Sequence, residues 1–243
     1  MAQVFSPIHN TLARLSLLAA LALPAVIIVA SSAVTRSPYG TNAKVVLDQP
    51  VPFSHEHHAT ELGIDCRYCH TSVETSETAG VPPTQTCMTC HSQIWTNSPL
   101  LERVRQSYYT GVPLQWNKLN SVPDFVYFNH SIHINRGINC NVCHGPVQQM
   151  MITYKGRYFY MAWCLKCHRE PERNIQPDGA KAVFQLYQDY QRGDLKDARE
   201  RALADGEEYD PTPAEVEKGR QTLEKYHMTA TKKQLTDCWT CHR

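Results

Sequence analysis

The stretch Phe53-Ser-His55-Glu-His-His58, followed by Cys66-Arg-Tyr-Cys69-His70, decides the fold of this 243-residue chain. The same pattern returns at Phe128-Asn-His130-Ser-Ile-His133, followed by Cys140-Asn-Val-Cys143-His144. Both copies read Phe-x-His-x-x-His and then Cys-x-x-Cys-His, and each is followed by one more Cys-x-x-Cys-His. A pattern repeated in this way indicates an internal duplication.

All ten cysteines fall into five Cys-x-x-Cys pairs, and a histidine follows every pair. Disulfides would not require those histidines, and zinc sites built from two such pairs each would leave one pair over. Two thiols on one helical turn can form thioethers with a single haem, while the next imidazole binds its iron. We therefore predict five haem c groups. The attaching residues are Cys66, Cys69, Cys87, Cys90, Cys140, Cys143, Cys164, Cys167, Cys238 and Cys241, and the proximal ligands are His70, His91, His144, His168 and His242.

Each iron also needs a sixth ligand to become low-spin, and the histidines upstream of the motifs are the candidates. A His-x-x-His step lets two imidazoles point at two different haems. The candidates are His55, His58, His130, His133 and His227, the last lying 11 residues before Cys238. Methionine is the competing ligand, because it raises the potential of a haem iron. Met150 is the first such candidate, with Met151 and Met161 behind it, and a methionine ligand would displace one of these histidines.

The composition limits the other functions. With 24 basic and 23 acidic residues the chain lacks the positive field that a nucleic-acid partner normally needs. After residue 35 the sequence is polar, rich in proline and short of long apolar runs. An ordinary side-chain core is hard to build from it, so we expect the haems to supply the apolar mass.

An apolar segment lies near the N-terminus. Residues Leu15–Ala30 are apolar apart from Ser16, and with their flanks they approach the roughly 20 residues that span a bilayer. A cleaved signal peptide is the alternative, because Ser31-Ser-Ala33 resembles a cleavage site. We expect an uncleaved single-pass anchor in the cell membrane. Arg14 on the near side favours a C-terminal haem domain on the periplasmic side.

These features predict a mainly α and irregular fold with tandem haem repeats like those of class III cytochromes, a haem-packed core and one transmembrane helix. The expected divisions are an anchor over 1–35, a linker over 36–52 and a pentahaem domain over 53–243, which includes a charged helical insert over 171–226. In the insert, Val183, Leu186, Tyr187 and Tyr190 recur at helical spacing. Thr212-Pro-Ala-Glu215 predicts a helix from 213 to about 226. Weak strand signals lie at Val126–Phe128 and Tyr154–Tyr160.

Several stretches resemble the pentahaem cytochrome subunit of bacterial alternative complex III. They are Cys-Arg-Tyr-Cys-His-Thr-Ser-Val-Glu from Cys66, Pro-Pro-Thr-Gln-Thr-Cys-Met-Thr-Cys-His from Pro82, Phe-Val-Tyr-Phe-Asn-His-Ser-Ile-His from Phe125, Cys-His-Gly-Pro-Val-Gln-Gln-Met from Cys143, and Met-Ala-Trp-Cys-Leu-Lys-Cys-His-Arg from Met161. The resemblance is strong over residues 53–170. It implies a quinol:electron-acceptor oxidoreductase with three kinds of partner: integral membrane quinol-binding subunits, an iron–sulfur subunit related to molybdopterin enzymes, and a monohaem cytochrome c or terminal oxidase.

Three functions follow from these observations. The leading one is an electron-transfer subunit, not itself an enzyme, because five irons with two axial ligands each leave no substrate position. A multihaem reductase is the second, but such enzymes normally keep one open iron, and here all five motifs end in histidine. The third keeps electron transfer but places the chain in a molybdopterin oxidoreductase or a quinol-dehydrogenase cytochrome.

Overall fold

The computed structural model describes residues 6–228 and 232–242, and it divides the chain into two compact units, Met1–Ala43 and Lys44–Arg243. The first unit contains helix α1, Pro7–Arg36, and the short helix α2, Pro38–Thr41. Helix α1 has 30 residues, none of them buried. At 1.5 Å per residue it is about 45 Å long, which exceeds the roughly 30 Å of a bilayer core. By length and composition it can cross a membrane once.

The second unit is built from short helices joined by irregular segments, as the sequence predicts. Its α-helices are α3 Cys66–Cys69, α4 Thr84–His91, α5 Glu102–Thr110, α6 His130–Asn135, α7 Cys140–His144, α8 Met161–Arg169, α9 Ala180–Arg192, α10 Ala198–Ala204, α11 Pro213–Lys225 and α12 Cys238–Cys241. A π-helical turn lies at Glu56–Glu61, and 3₁₀ turns lie at Pro99–Leu101, Val147–Gln149, Pro171–Arg173 and Lys232–Thr236.

The two cysteines of every Cys-x-x-Cys-His motif lie in a helix, as attachment of two thiols on one helical turn predicts. Helices α3 and α7 begin directly after Asp65 and Asn139, whose side chains accept hydrogen bonds from the backbone N–H groups of Arg67 and Asn141. Such caps satisfy backbone donors that a short helix leaves without partners. One turn then places the two thiols of a motif on the same side, as attachment to one haem requires.

The strand expectations are not met in the part of the chain that the structure describes. An antiparallel bridge joins Val46 to Tyr154, and no strand forms over 126–128 or 154–160. The Tyr127 N–H donates to the Cys241 carbonyl at 2.8 Å. The backbone of this segment therefore bonds to the fifth motif instead of to a neighbouring strand.

The side-chain core consists of small clusters that lie against the haem motifs. One contains Val73, Ile134, Val183 and Phe184, with Cys66 and Cys140 packed on it. The other contains Val51, Met88 and Val104, with Cys87 packed on it. Clusters of three and four buried residues provide little apolar burial for a domain of this length. This agrees with an interior completed by cofactors.

The insert over 171–226 forms the helices that its spacing predicts. Helix α9 buries Val183 and Leu186 on the predicted face. Helix α11 begins at Pro213, behind a capping box between Thr212 and Glu215, and ends at Lys225. Both predictions are confirmed.

Gly219, in the middle of α11, lies against the 3₁₀ turn Pro171–Arg173. A Cβ at Gly219 would lie 1.9 Å from the carbonyl oxygen of Glu172. Alanine is a better helix former than glycine by about 1 kcal/mol. The overlap with Glu172 outweighs this gain and makes the substitution destabilising. We expect Gly219→Ala to lower the free energy of unfolding by about 1–3 kcal/mol, measured by urea unfolding of the detergent-solubilised chain with far-UV circular dichroism.

The neighbouring exposed residue provides the control for this substitution. Lys218→Ala makes a similar change on the outer face of α11 and should alter the free energy of unfolding by less than about 0.5 kcal/mol. A Gly219→Ala chain as stable as the parent would mean that α11 does not lie this close to Glu172.

Candidate haem-binding sites

Four pairs of histidine rings face each other across a gap of constant width. Each pair joins the histidine of one Cys-x-x-Cys-His motif to a histidine of the upstream Phe-x-His-x-x-His segments. The pairs, with centroid distances and interplanar angles, are His55–His70 (6.4 Å, 6°), His58–His91 (6.2 Å, 67°), His130–His144 (6.2 Å, 5°) and His133–His168 (6.1 Å, 25°). The first histidine of each segment thus faces its own motif, and the second faces the motif that follows.

This spacing fits an iron bound between two imidazoles. Metal–imidazole nitrogen distances are about 2.0–2.1 Å, and adding a ring radius of about 1.1 Å on each side gives centroids about 6.2–6.4 Å apart. Rings that simply stack would lie closer, as Phe53 and His58 do at 4.5 Å. The gap between the rings therefore has the width needed for one iron bound by two imidazoles. The two cysteines of the motif flank it on one helical turn.

A phenylalanine separates the two histidines of each upstream segment. Phe53 meets His55 edge-on at 4.9 Å and 89°, and it stacks on His58 at 4.5 Å and 23°. Phe128 repeats this arrangement with His130 and His133, at 4.8 Å and 89° and at 4.5 Å and 29°. The phenylalanine of the repeated pattern therefore keeps the two imidazoles apart and directs them to two different motifs.

Backbone carbonyls fix the tautomer of these imidazoles. A carbonyl can only accept, so each Nδ1 in contact with one carries the proton and leaves the Nε2 lone pair free for a metal. The Nδ1–carbonyl pairs are His58–Ser54 (2.8 Å), His70–Gly80 (2.7 Å), His91–Ile94 (3.2 Å), His130–Glu77 (2.8 Å), His133–Asn129 (2.7 Å), His168–Leu235 (2.8 Å) and His242–Phe125 (3.1 Å).

His55 differs in its partner, because its Nδ1 lies 2.8 Å from the Thr153 hydroxyl, 98 residues away. Nothing in the sequence marks Thr153 as part of the site. Only the folding of the segment after the third motif back onto the first brings the two together.

Burial keeps the central histidines in the form that binds a metal. Burial, with smaller contributions from neighbouring histidines, lowers the pKa of His55 and of His144 to about 4. Both are therefore neutral at pH 7. Burial also raises the pKa of the Cys66 and Cys143 thiols to about 12, which disfavours the thiolates that zinc would require. A thioether carries no charge and avoids that penalty.

The fifth motif is not completed in the same way. Among residues 6–228 and 232–242, no imidazole faces His242 at this spacing, and the nearest ring is Phe125, with centroids 5.7 Å apart. His227 is exposed after the end of α11, with φ 54°. Met150 is buried at 3% exposure beside Gly145, next to a motif whose histidine already faces His130. His227 and Met150 therefore stay predictions as sixth ligands.

Thr153→Val should change the haem that His55 and His70 would hold. The substitution removes the hydroxyl that accepts from the His55 Nδ1–H. A hydrogen bond from Nδ1–H makes the imidazole a more basic ligand, and a more basic ligand favours ferric over ferrous iron. If the bond is stronger in the ferric state by about 0.5–1 kcal/mol, its loss raises one midpoint potential by roughly 20–45 mV. Spectroscopically monitored redox titration measures this. Thr153→Ser keeps the hydroxyl and should leave the potential unchanged; a shift of equal size in both variants would contradict this role.

Comparisons with known proteins agree with this geometry. A model of the class III cytochrome c family matches residues 30–112. The multihaem cytochrome c subunit of the menaquinone reductase of Nitratidesulfovibrio vulgaris is 30% identical over 158 residues, which cover 56% of this chain and 75% of that subunit. The chain belongs to the class III family of multihaem cytochromes c.

Proposed function

We propose that this chain is the electron-transfer subunit of a membrane quinone/quinol oxidoreductase and carries five covalent haems. The observation that supports this most directly is the set of four facing imidazole pairs, 6.1–6.4 Å apart, each beside a Cys-x-x-Cys turn. Bound haem supplies reversible one-electron exchange between ferric and ferrous iron. The chain's residues attach each haem, fix its axial ligands and exclude water from the central sites.

The proposed ligand pairs follow from the facing rings. The haem sites are numbered by the order of their Cys-x-x-Cys-His motifs in the sequence, so site 1 contains Cys66 and site 5 contains Cys238. The two axial ligands of the iron would be His55 and His70 in site 1, His58 and His91 in site 2, His130 and His144 in site 3, and His133 and His168 in site 4. In site 5, His242 is the proximal ligand. His227 is proposed as its sixth ligand, and Met150 stays the competing methionine candidate for one of the five haems.

Filled axial positions favour electron transfer over catalysis. An iron with imidazoles on both faces has no position left for a substrate, so sites 1 to 4 have no catalytic position. A multihaem reductase would need an open iron in a pocket that binds its substrate. In site 5 the predicted ligand His227 would fill the remaining axial position in the same way. The chain is therefore proposed to relay electrons and not to catalyse a reaction of its own.

Helix α1 is proposed to anchor the haem unit to the membrane. It is long enough to cross a bilayer, and Arg14 lies near its N-terminal end. By the positive-inside rule, Arg14 supports a haem unit outside the cytoplasm. An apolar α1 held in the membrane would also keep this unit near membrane subunits that handle a lipid-soluble quinone.

The host complex is proposed from two similarities. The stretches in residues 53–170 resemble alternative complex III, which implies quinol oxidation and an iron–sulfur subunit that delivers electrons to this chain. A downstream cytochrome or oxidase would then accept them. The relative named above belongs to a menaquinone reductase, which favours a second candidate, a complex that reduces the quinone. Both hosts share a quinone, a membrane and a multihaem subunit; a molybdopterin oxidoreductase remains the alternative outside this group.

His130→Ala should leave five haems attached but make one of them high-spin, because it removes one axial ligand without touching a thioether. Haem content by the pyridine haemochrome assay and electron paramagnetic resonance spectra of the full chain measure this. His57→Ala is the matched control: His57 lies beside His58 but pairs with Glu61 at 2.6 Å, so it should leave all spectra unchanged. A wholly low-spin His130→Ala protein would contradict the ligand assignment.

Purification of the native complex tests the host. We expect companion subunits that include an iron–sulfur protein and integral membrane proteins, and oxidation of a quinol analogue coupled to cytochrome c reduction. A complex that only reduces a quinone analogue with electrons from a reduced cytochrome would favour the second candidate. A companion with a catalytic molybdenum cofactor would overturn both.

A further inference from the structure

Each of the two Phe-x-His-x-x-His repeats has a histidine that is hydrogen-bonded by a segment of the other repeat. His130, the distal histidine of site 3, is bound by the loop that follows the site 1 motif: Glu77 O accepts from its backbone N–H at 3.1 Å and from its Nδ1 at 2.8 Å. The same loop accepts from the Ser131 N–H and the Asn135 side chain, through Ser76 O and Glu74 O. Site 1 and site 3 are therefore in direct contact.

The converse contact is made by the segment that follows the site 3 motif. His55, the distal histidine of site 1, bonds to Thr153, and the Glu56 N–H donates to Met150 O at 3.2 Å. The Thr60 hydroxyl donates to Gln148 O at 2.7 Å. Each repeat thus supports the first distal histidine of the other. Such reciprocal contacts place sites 1 and 3 together at the centre of the haem unit.

The insert covers this central junction. Cys66 of site 1 and Cys140 of site 3 both pack against the cluster that includes Phe184 of α9. The Tyr187 hydroxyl lies 3.0 Å from the side-chain oxygens of Asn139 and Asn141, on either side of Cys140. These contacts agree with neighbouring sites 1 and 3.

Sites 2 and 4 lie on the outer sides of this centre. The Tyr68 hydroxyl of the site 1 motif is 2.8 Å from the Thr89 hydroxyl of the site 2 motif. The distal histidines of sites 3 and 4, His130 and His133, are one helical turn apart on α6. Site 2 therefore adjoins site 1, and site 4 adjoins site 3.

Site 5 continues the series from site 4. The site 4 histidine, His168, donates to Leu235 O at 2.8 Å, within the turn Lys232–Thr236 that leads into α12. The Tyr127 N–H donates to the carbonyl of Cys241 in site 5. The next residue, Phe128, stacks its ring on His133 of site 4. Both axial histidines of site 4 are thus linked to the site 5 segment.

We propose that the five attachment sites form one row in the order 2, 1, 3, 4, 5, so that partner proteins exchange electrons with the chain at sites 2 and 5. The proposal rests on the ligand pairs proposed above. Of the ten cysteines, only Cys90 of site 2 and Cys238 of site 5 are exposed, while the other eight are partly covered. The two ends of the row are therefore the sites most open to a partner, although site 2 comes second in the sequence.

Redox coupling between neighbouring haems tests this order. His58→Met at site 2 and His133→Met at site 4 make the same change at equivalent positions of the two repeats. A methionine ligand raises the potential of its own haem, which then stays ferrous while the others titrate. The missing positive charge lowers the potentials of adjacent haems, and this effect falls with distance. The readout is the set of midpoint potentials of the full chain, from paramagnetic resonance spectra.

The order predicts how many other potentials move. His58→Met, at an end of the row, should lower one other midpoint potential, whereas His133→Met, inside the row, should lower two. Two lowered potentials for His58→Met, or one for His133→Met, would overturn the order. A variant whose own haem does not change potential would instead contradict the ligand pairs, so the two failures are distinguishable.

Removal of a whole haem supports the same test if methionine variants do not assemble. Cys238→Ala with Cys241→Ala removes site 5, and Cys164→Ala with Cys167→Ala removes site 4. Four remaining haems with one shifted potential for the first variant and two for the second support the row. Equal numbers in the two variants would overturn it.

Discussion

A pair of imidazoles held about 6 Å apart is the constraint on which the rest of the structure depends. Side chains cannot keep such a gap open by packing, because facing rings would close to stacking distance. Seven of the eight paired rings are held from behind, by an Nδ1–H donated to a carbonyl or a hydroxyl. The carbonyl acceptors lie at the ends of short helices or in the turns and loops between them. A fold of many short helices therefore supplies acceptors on several sides of the haem motifs.

The Phe-x-His-x-x-His segment solves a second problem, the placement of two haems beside one backbone turn. Two imidazoles three residues apart on a helix would point to the same side. An edge-on contact to His55 and a stacked contact to His58 let Phe53 hold the two rings in different directions. The near-identical distances around Phe128 show that the duplication preserved this geometry and not only the letters of the motif.

Much of the site could be predicted from the sequence, because haem attachment is encoded within five consecutive residues and the second ligands within six. The insert helices could also be predicted, from apolar spacing and from the Thr212–Glu215 capping box. Contacts between distant segments could not. Glu77 and Thr153 lie 53 and 98 residues from the histidines they support and carry no motif of their own. His227 stays a prediction as the sixth ligand of site 5: its spacing before Cys238 matches the repeats, but it lacks the phenylalanine and the second histidine of the other segments.

Site 2 differs from the other three paired sites in a way that its support explains. His58 and His91 are crossed at 67°, whereas the rings of the other pairs lie within 25° of parallel. His91 donates to Ile94, three residues away in its own turn, at 3.2 Å. The proximal histidines of sites 1 and 4 instead donate to Gly80 and Leu235 at 2.7 and 2.8 Å. A ring anchored to its own helix end takes its plane from that helix, while a ring anchored to a remote carbonyl can be turned to match its partner. Ring planes set the splitting of the iron orbitals that share electrons with the imidazoles, so we expect a haem bound by His58 and His91 to differ electronically from haems at the other paired sites.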